Sequence, residues 1–288
     1  MILRLATFAA VLLLFACSAR AESLRVGDVT LHYVEAGRVE SPALVLIPGW
    51  SCAAGIWKKQ IAHFSKTMHV IAIDPRSQGD SAKTDDGNTP MQRARDYEAL
   101  LEELKVENAV LVGWSQGVQD VASYVDQFGT RRLRGVVLVD AAVSKGARSV
   151  SANPEFVQGL LRNMDIYARH KREYLEGMMH AIFTQKMDDA EFNALVENGM
   201  KTPTNTGVAE LAADMLGKDL TPSLKKFDKP TLVVASATSP EIAEQKSEAA
   251  SLAHGSFVQV EHAGHGVFVD QPEAFNRALE TFVASLPG

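Results

Sequence analysis

The 288-residue sequence predicts an α/β protein: a mostly parallel sheet with helices on both faces. Two observations carry that expectation. Short apolar runs without alternation recur along the chain, as strands buried on both faces require, and helical patterns separate them. Several of these runs also stop at a turn-forming or acidic residue: Pro48-Gly49, Asp74-Pro75 and Asp140. In such sheets the carboxyl ends of the strands are where ligands sit.

The first 21 residues stand apart from this pattern. Arg4 precedes an uncharged run from Leu5 to Ala16, and Ala19-Arg20-Ala21 follows before Glu22. That is the pattern of a secretory signal peptide, and the run is too short to span a bilayer. The expected location is periplasmic or secreted. Leu14-Phe15-Ala16-Cys17 also resembles a lipobox, which leaves a membrane anchor through a lipidated Cys17 as the alternative.

From there the elements follow in order. Val29 to Glu35 alternates as a half-exposed strand, Ala43 to Ile47 is a buried strand, and Ile56 to Phe64 is a helix. Val70 to Ile73 is a strand, Pro90 to Leu104 a helix, and Ala109 to Phe128 a strand, a corner and a helix whose apolar residues Val118, Val121, Ala122, Val125 and Phe128 keep helical spacing. Val136 to Val139 is the next strand. Between about Ser144 and Asp228 the strands stop. Helical patterns take over, one capped by Asp188 with Glu191 three residues on, another running from Thr206 to Leu216 before Gly217. Six of the nine methionines fall here: Met164, Met178, Met179, Met187, Met200 and Met215. They suit a small irregular helical core, and together an adaptable pocket wall. Strands resume at Leu232 to Val234 and Phe257 to Val260, and a helix with Pro272 and Glu273 in its first turn closes the chain. The expected organisation is a signal peptide (1–21), a first part of the core (22–143), a helical cap (144–228) and a second part of the core (229–288).

Composition narrows the partners. Loss of Arg4 and Arg20 with the first 21 residues takes the formal charge from −6 to −8, and the remaining basic residues are scattered. Nucleic acid is therefore not an expected partner, nor is an anionic membrane surface. Cys52 is the one cysteine left after residue 21, so no internal disulfide can form, and a small buried residue is expected there rather than a nucleophile.

The chemistry concentrates at Gly113-Trp114-Ser115-Gln116-Gly117, a G-x-S-x-G corner between a strand and a helix. Such a corner holds a serine hydroxyl on a sharp turn near the positive end of the helix dipole, and a Cβ at either glycine would collide with a neighbouring element. A serine so placed needs a base. His265, in Glu261-His262-Ala263-Gly264-His265 just beyond the last strand, is the histidine placed to reach it. His262 and His265 lie three apart, but no cysteine or carboxylate cluster completes a metal site. No metal and no cofactor is expected.

With these residues in hand, the chain resembles the α/β-hydrolase superfamily, in particular its capped serine esterases and lipase-like members. The stretches that carry the resemblance are Leu46-Ile47-Pro48-Gly49-Trp50 with Trp57, Asp74 to Ser81, Gly113 to Gly117, and Gly264-His265 followed by Asp270 to Phe275. The resemblance implies an α/β-hydrolase fold with a helical cap inserted after the sixth strand. It also implies Ser115 as nucleophile, His265 as base, and an oxyanion hole from the backbone N–H groups of Trp50 and Gln116. Most of the family carries its acid after the seventh strand, where this chain has Ser239. Serine cannot stabilise an imidazolium. Asp140, ending the preceding strand as the acid does in some members, is the expected acid, with Glu241 and Glu244 as alternatives. Asp74 and Arg76 are expected to tie down a loop. The implied activity is hydrolysis of a small or medium carboxylic ester. Lactone hydrolysis and cofactor-free perhydrolysis share the same triad, and a non-catalytic ligand-binding protein is the competing class.

Overall fold

The computed structural model describes residues 19–287. Eight strands build one sheet: β1 (Arg20–Val26), β2 (Val29–Ala36), β3 (Ala43–Ile47), β4 (His69–Ile73), β5 (Ala109–Trp114), β6 (Leu133–Val139), β7 (Thr231–Ser236) and β8 (Gly255–Val260). Their order is β1-β2-β4-β3-β5-β6-β7-β8, antiparallel at β1–β2 and β2–β4 and parallel from β4 onward. The helices are α1 (Lys58–Phe64), α2 (Pro90–Glu103), α3 (Gln116–Phe128), α4 (Arg148–Ala152), α5 (Pro154–Arg169), α6 (Lys171–Ile182), α7 (Asp189–Met200), α8 (Thr204–Leu216), α9 (Ile242–Ser251), α10 (Val267–Asp270) and α11 (Pro272–Ser285).

Strand alternation divides the core into two layers. Leu44, Leu46, Val70, Val110, Val112 and Val137 face one side, where Trp57, Phe268 and Phe275 cover them and the Trp57 and Phe268 rings stack at 3.8 Å. Val45, Ile47, Ile71, Leu111, Val136 and Leu138 face the other, against Tyr97 and Leu100 of α2 and Val121 and Val125 of α3. The central strands are sealed on both faces, which is why they read as unbroken apolar runs.

Between β6 and β7 the chain makes five helices, α4 to α8, and no strand. Asp188 caps α7, accepting from the Glu191 N–H at 2.8 Å. The methionines belong mostly to packing. Met164 and Met179 are buried, and Met178, Met187 and Met200 lie half-buried against the core cluster that includes Leu175 and Val196. Among the six, Met215 alone reaches the cavity described below. The pocket wall is therefore not the Met-rich surface that composition suggested.

Residues 1–18 of the expected signal segment, Cys17 included, lie outside the described residues, while Arg20 and Ala21 are exposed at the start of β1. No helix among the described residues is long and apolar enough to cross a membrane.

Candidate active site

Ser115 sits at the tip of β5 with φ 57° and ψ −116°, a conformation that L-residues rarely adopt. The strain is fixed from both sides. A Cβ on Gly113 would lie 2.2 Å from the Gly117 carbonyl oxygen, and one on Gly117 would lie 2.8 Å from that of Ile47. Gln116 begins α3, so its backbone N–H is among those that helix geometry leaves without an intrahelical partner. The loop carrying Trp50 presses on the same corner: a Cβ on Gly49 would come 3.1 Å from the Ser115 Cβ.

His265 lies in the loop between β8 and α10. Its Nε2 is 2.8 Å from Ser115 Oγ and its Nδ1 is 2.8 Å from Asp140 Oδ2. These three side chains come from the ends of β5, β6 and β8, 150 residues apart at the extremes. The loop is held by its backbone. Trp114 Nε1 donates to the His265 carbonyl at 2.8 Å, Ser236 Oγ donates to the Ala263 carbonyl at 2.6 Å, and the Asp270 carboxylate accepts from the Gly264 N–H at 2.8 Å.

Asp140 is 3% exposed, and its second oxygen accepts from the Ser236 N–H at 2.7 Å. The segment after it is clamped amide by amide. Glu241 accepts from the Ala142 N–H at 2.9 Å, Glu248 from the Val143 N–H at 3.0 Å, and Gln119 Oε1 from the Ser144 N–H at 2.7 Å. Burial raises the pKa of Glu241 and pushes that of Glu248 up to about 8. Glu244 pairs with Lys145. Of the three expected carboxylates, Asp140 is therefore the one bonded to His265. Ser239, at the position where the acid was missing, accepts from Gln245 Nε2 at 3.1 Å.

The cavity over Ser115 has a volume of about 540 Å³. It is lined by Trp50, His265 and Asp140, by Leu211, Asp214 and Met215 from α8 and Phe156 from α5, and by Glu241, Glu244 and Lys145. Asp74 and Arg76 stand apart from it as structural groups. Asp74 accepts from the Ala54 N–H at 2.6 Å and the Asp80 N–H at 2.7 Å, and Arg76 pairs with Asp96 at 2.6 Å. His32, Asp74 and Asp80 cluster closely enough to hold a cation, but Lys201 already engages Asp80 at 2.7 Å. Cys52 is buried and its thiol is pushed up to about 12 by that burial, far from a nucleophile's range.

A model of the "Alpha/beta hydrolase family" matches residues 44–278. The chain belongs to the α/β-hydrolase family. Among the similar curated proteins are 3-oxoadipate enol-lactonase 2 of Acinetobacter baylyi, 27% identical with 90% of this chain and 95% of that protein aligned, and non-heme chloroperoxidase CPO-A1 of Kitasatospora aureofaciens, 30% identical with 83% and 91% aligned. Among solved structures, an esterase from Exiguobacterium antarcticum superposes with a TM-score of 0.83 over 92% of this chain and all of its own, at 19% identity, a likeness of fold.

What the sequence did not disclose about this hydrolase is a buried polar chain beside Ser115. Arg93 of α2, fully buried, pairs with Asp120 at 2.8 Å and Asp214 at 2.6 Å, and Tyr97 donates to Asp120 at 2.8 Å. Asp214 in turn accepts from Gln116 Nε2. Burial raises the Asp214 pKa against the opposing pull of Arg93. Glu210, one turn before Asp214 on α8, is fully buried, and neither of its oxygens has a hydrogen-bond partner among the described residues. Burial first, then the nearby Asp214 and Asp120, push it up to about 8 despite Arg93.

Proposed function

We propose that the protein is a serine hydrolase of small or medium, uncharged carboxylic esters, acting through an acyl-enzyme on Ser115. The observation that carries the reading is the unbroken run Ser115–His265–Asp140, 2.8 Å at each step. With Asp140 accepting the Nδ1 proton, His265 presents Nε2 as the acceptor for the Ser115 proton. Ser115 attacks the carbonyl, the Trp50 and Gln116 N–H groups hold the developing oxyanion, and His265 returns the proton to the departing alkoxide. Water deprotonated by the same His265 then releases the acid. Opening of a lactone follows the same steps with one product in place of two.

The cavity wall supports a neutral substrate. Asp214, Glu241 and Glu244 line it, and its single lysine, Lys145, is paired with Glu244. An anionic acyl or alcohol group would find no free cation there among the described residues and would lose its hydration. The test is turnover of p-nitrophenyl butyrate by the full chain, together with one-to-one labelling by a fluorophosphonate mapped to the peptide bearing Ser115. The corresponding hemisuccinate ester is expected to show kcat/KM at least about tenfold lower, since one unpaired charge at a partly wet site costs more than about 1.4 kcal/mol. Neither labelling nor turnover would leave a ligand-binding protein as the better reading.

Export to the periplasm or medium belongs to the same proposal, supported by the apolar run Leu5 to Ala16 and Ala19-Arg20-Ala21. Cleavage after Ala21 would leave the β1–β2 pairs from Glu22↔Tyr33 to Val26↔Val29. Intact-mass measurement of the protein recovered from cells should place its first residue at Glu22. An uncleaved chain would remove the proposal, and a mass carrying acyl chains on Cys17 would replace it with the anchored form.

A further inference from the structure

Helix α8 buries the wrong kind of face for an ordinary cap helix. Its buried residues are Thr206, Gly207, Glu210 and Asp214, whereas Val208 and Leu211 are only half-buried. A helix held on by the hydrophobic effect alone would turn the second set inward. The positions 207, 210 and 214 fall at i, i+3 and i+7, one stripe down the helix, and from both ends of that stripe a hydrogen bond runs to the site. At one end the Gly207 carbonyl accepts from Trp50 Nε1 at 2.9 Å. At the other, Asp214 accepts from Gln116 Nε2. Trp50 and Gln116 are the two residues whose backbone N–H groups are the proposed oxyanion donors.

A second link joins those two residues to each other. Gln78 Nε2 donates to Gln116 Oε1 at 2.7 Å, and Gln78 Oε1 accepts from the Cys52 N–H at 3.1 Å, two residues beyond Trp50. Gln116, Gln78 and Asp214 are all at most 5% exposed. The Cys52 N–H also reaches the Gly49 carbonyl at 3.1 Å, so the turn carrying Trp50 is closed on the same group. On its far side Asp214 is fixed to the core by Arg93, itself held by Asp120. An elbow side chain, an oxyanion loop and a cap helix are thus one hydrogen-bonded unit.

We infer that α8 positions the oxyanion hole: the Gly207 carbonyl through Trp50, and Asp214 through Gln116, hold the two donor N–H groups at the spacing the tetrahedral intermediate needs. The inference rests on Ser115 being the nucleophile of an ester hydrolase. Asp214 and the Gln116 and Trp50 side chains are positioning groups, since what meets the substrate oxygen is the backbone. Buried ionic groups are costly against apolar residues of the same size, so a helix needed only for stability would carry leucines here. What the polar stripe adds is a fixed register between cap and elbow, and a cap displaced along its axis would carry both donors with it. Preorganised donors are worth most when they need no rearrangement as charge develops.

The experiment uses Gln116→Leu and Trp50→Phe, which cut the two links while leaving both backbone N–H groups and the Arg93–Asp214 pair in place. Active sites are titrated with the fluorophosphonate so that kcat is counted per functional molecule. Each variant is expected to lower kcat for p-nitrophenyl butyrate about 10- to 100-fold with KM within about twofold, and to weaken butylboronic acid, which makes a tetrahedral adduct on the serine, by the same factor as kcat. Asp214→Leu should behave alike, and Asp214→Asn, which still offers Gln116 an oxygen, should recover most of what Asp214→Leu loses. A merely structural role would lower Tm and the titrated fraction while leaving kcat per site and boronate affinity unchanged. That result in both Gln116→Leu and Trp50→Phe overturns the inference even if Asp214→Leu does not fold. A wild-type protein with neither turnover nor label would instead sink the hydrolase reading, and this inference with it.

Discussion

Asp140→Asn is expected to lower kcat about 10⁴-fold while Tm stays within a few degrees of wild type, against about 10⁶-fold for Ser115→Ala. The asparagine is isosteric, and its orientation is not free. The Ser236 N–H, 2.7 Å from Asp140 Oδ1, requires an oxygen on that side. The new amide nitrogen must therefore point at His265 Nδ1, where Asp140 Oδ2 now lies at 2.8 Å. A donor there selects the tautomer with its proton on Nε2, and that nitrogen can no longer accept from Ser115. Steady-state rates with p-nitrophenyl butyrate, alongside a melting curve, read both halves of the expectation. Activity within about tenfold of wild type would remove Asp140 as the acid and turn attention to Glu241, whose half-buried carboxyl lies on the same cavity wall.

The contact of Asp140 with His265 was legible because two local facts bear on it: a carboxylate ends a buried strand, and a serine stands at 239 where the family usually has an aspartate. The buried strands from β3 to β7 were legible for a similar reason, since burial on both faces leaves an apolar run. β1 was not. It is an edge strand with one buried residue, Val26, so its sequence alternates weakly, and the expected signal peptide overlaps its first two residues. The polar stripe of α8 was hidden by a stronger effect. Acidic side chains at helical spacing ordinarily mark the solvated face, and nothing local sets Glu210 and Asp214 apart from that pattern. Asp214 turns inward to Arg93, 121 residues away in sequence, and no local pattern reports a partner at that separation.

The same stripe makes stability depend on pH in a defined window. Glu210→Gln is expected to stabilise the protein by an amount that grows as pH rises. The Glu210 carboxyl has its pKa moved from 4.5 up to about 8 by burial. Between those values the native state keeps a proton that the unfolded chain has released, so the native state binds more protons and stability falls as pH rises. Below about pH 4.5 both states are protonated and the group contributes no slope, and above about pH 8 the loss is complete. Glutamine keeps the shape and does not titrate. Its amide brings a donor with its own cost of burial, but that cost is independent of pH and shifts the whole difference without tilting it. Glu248, also pushed up to about 8, tilts both proteins equally, so its contribution cancels in the difference. Urea unfolding at pH 5 and pH 8 should therefore show the stability of Glu210→Gln minus that of wild type rising by several kcal/mol, on the order of 4 at full effect. A difference that stays level across the window would mean that Glu210 is ionised in the folded protein at neutral pH, held by charge from Arg93 rather than kept neutral by burial.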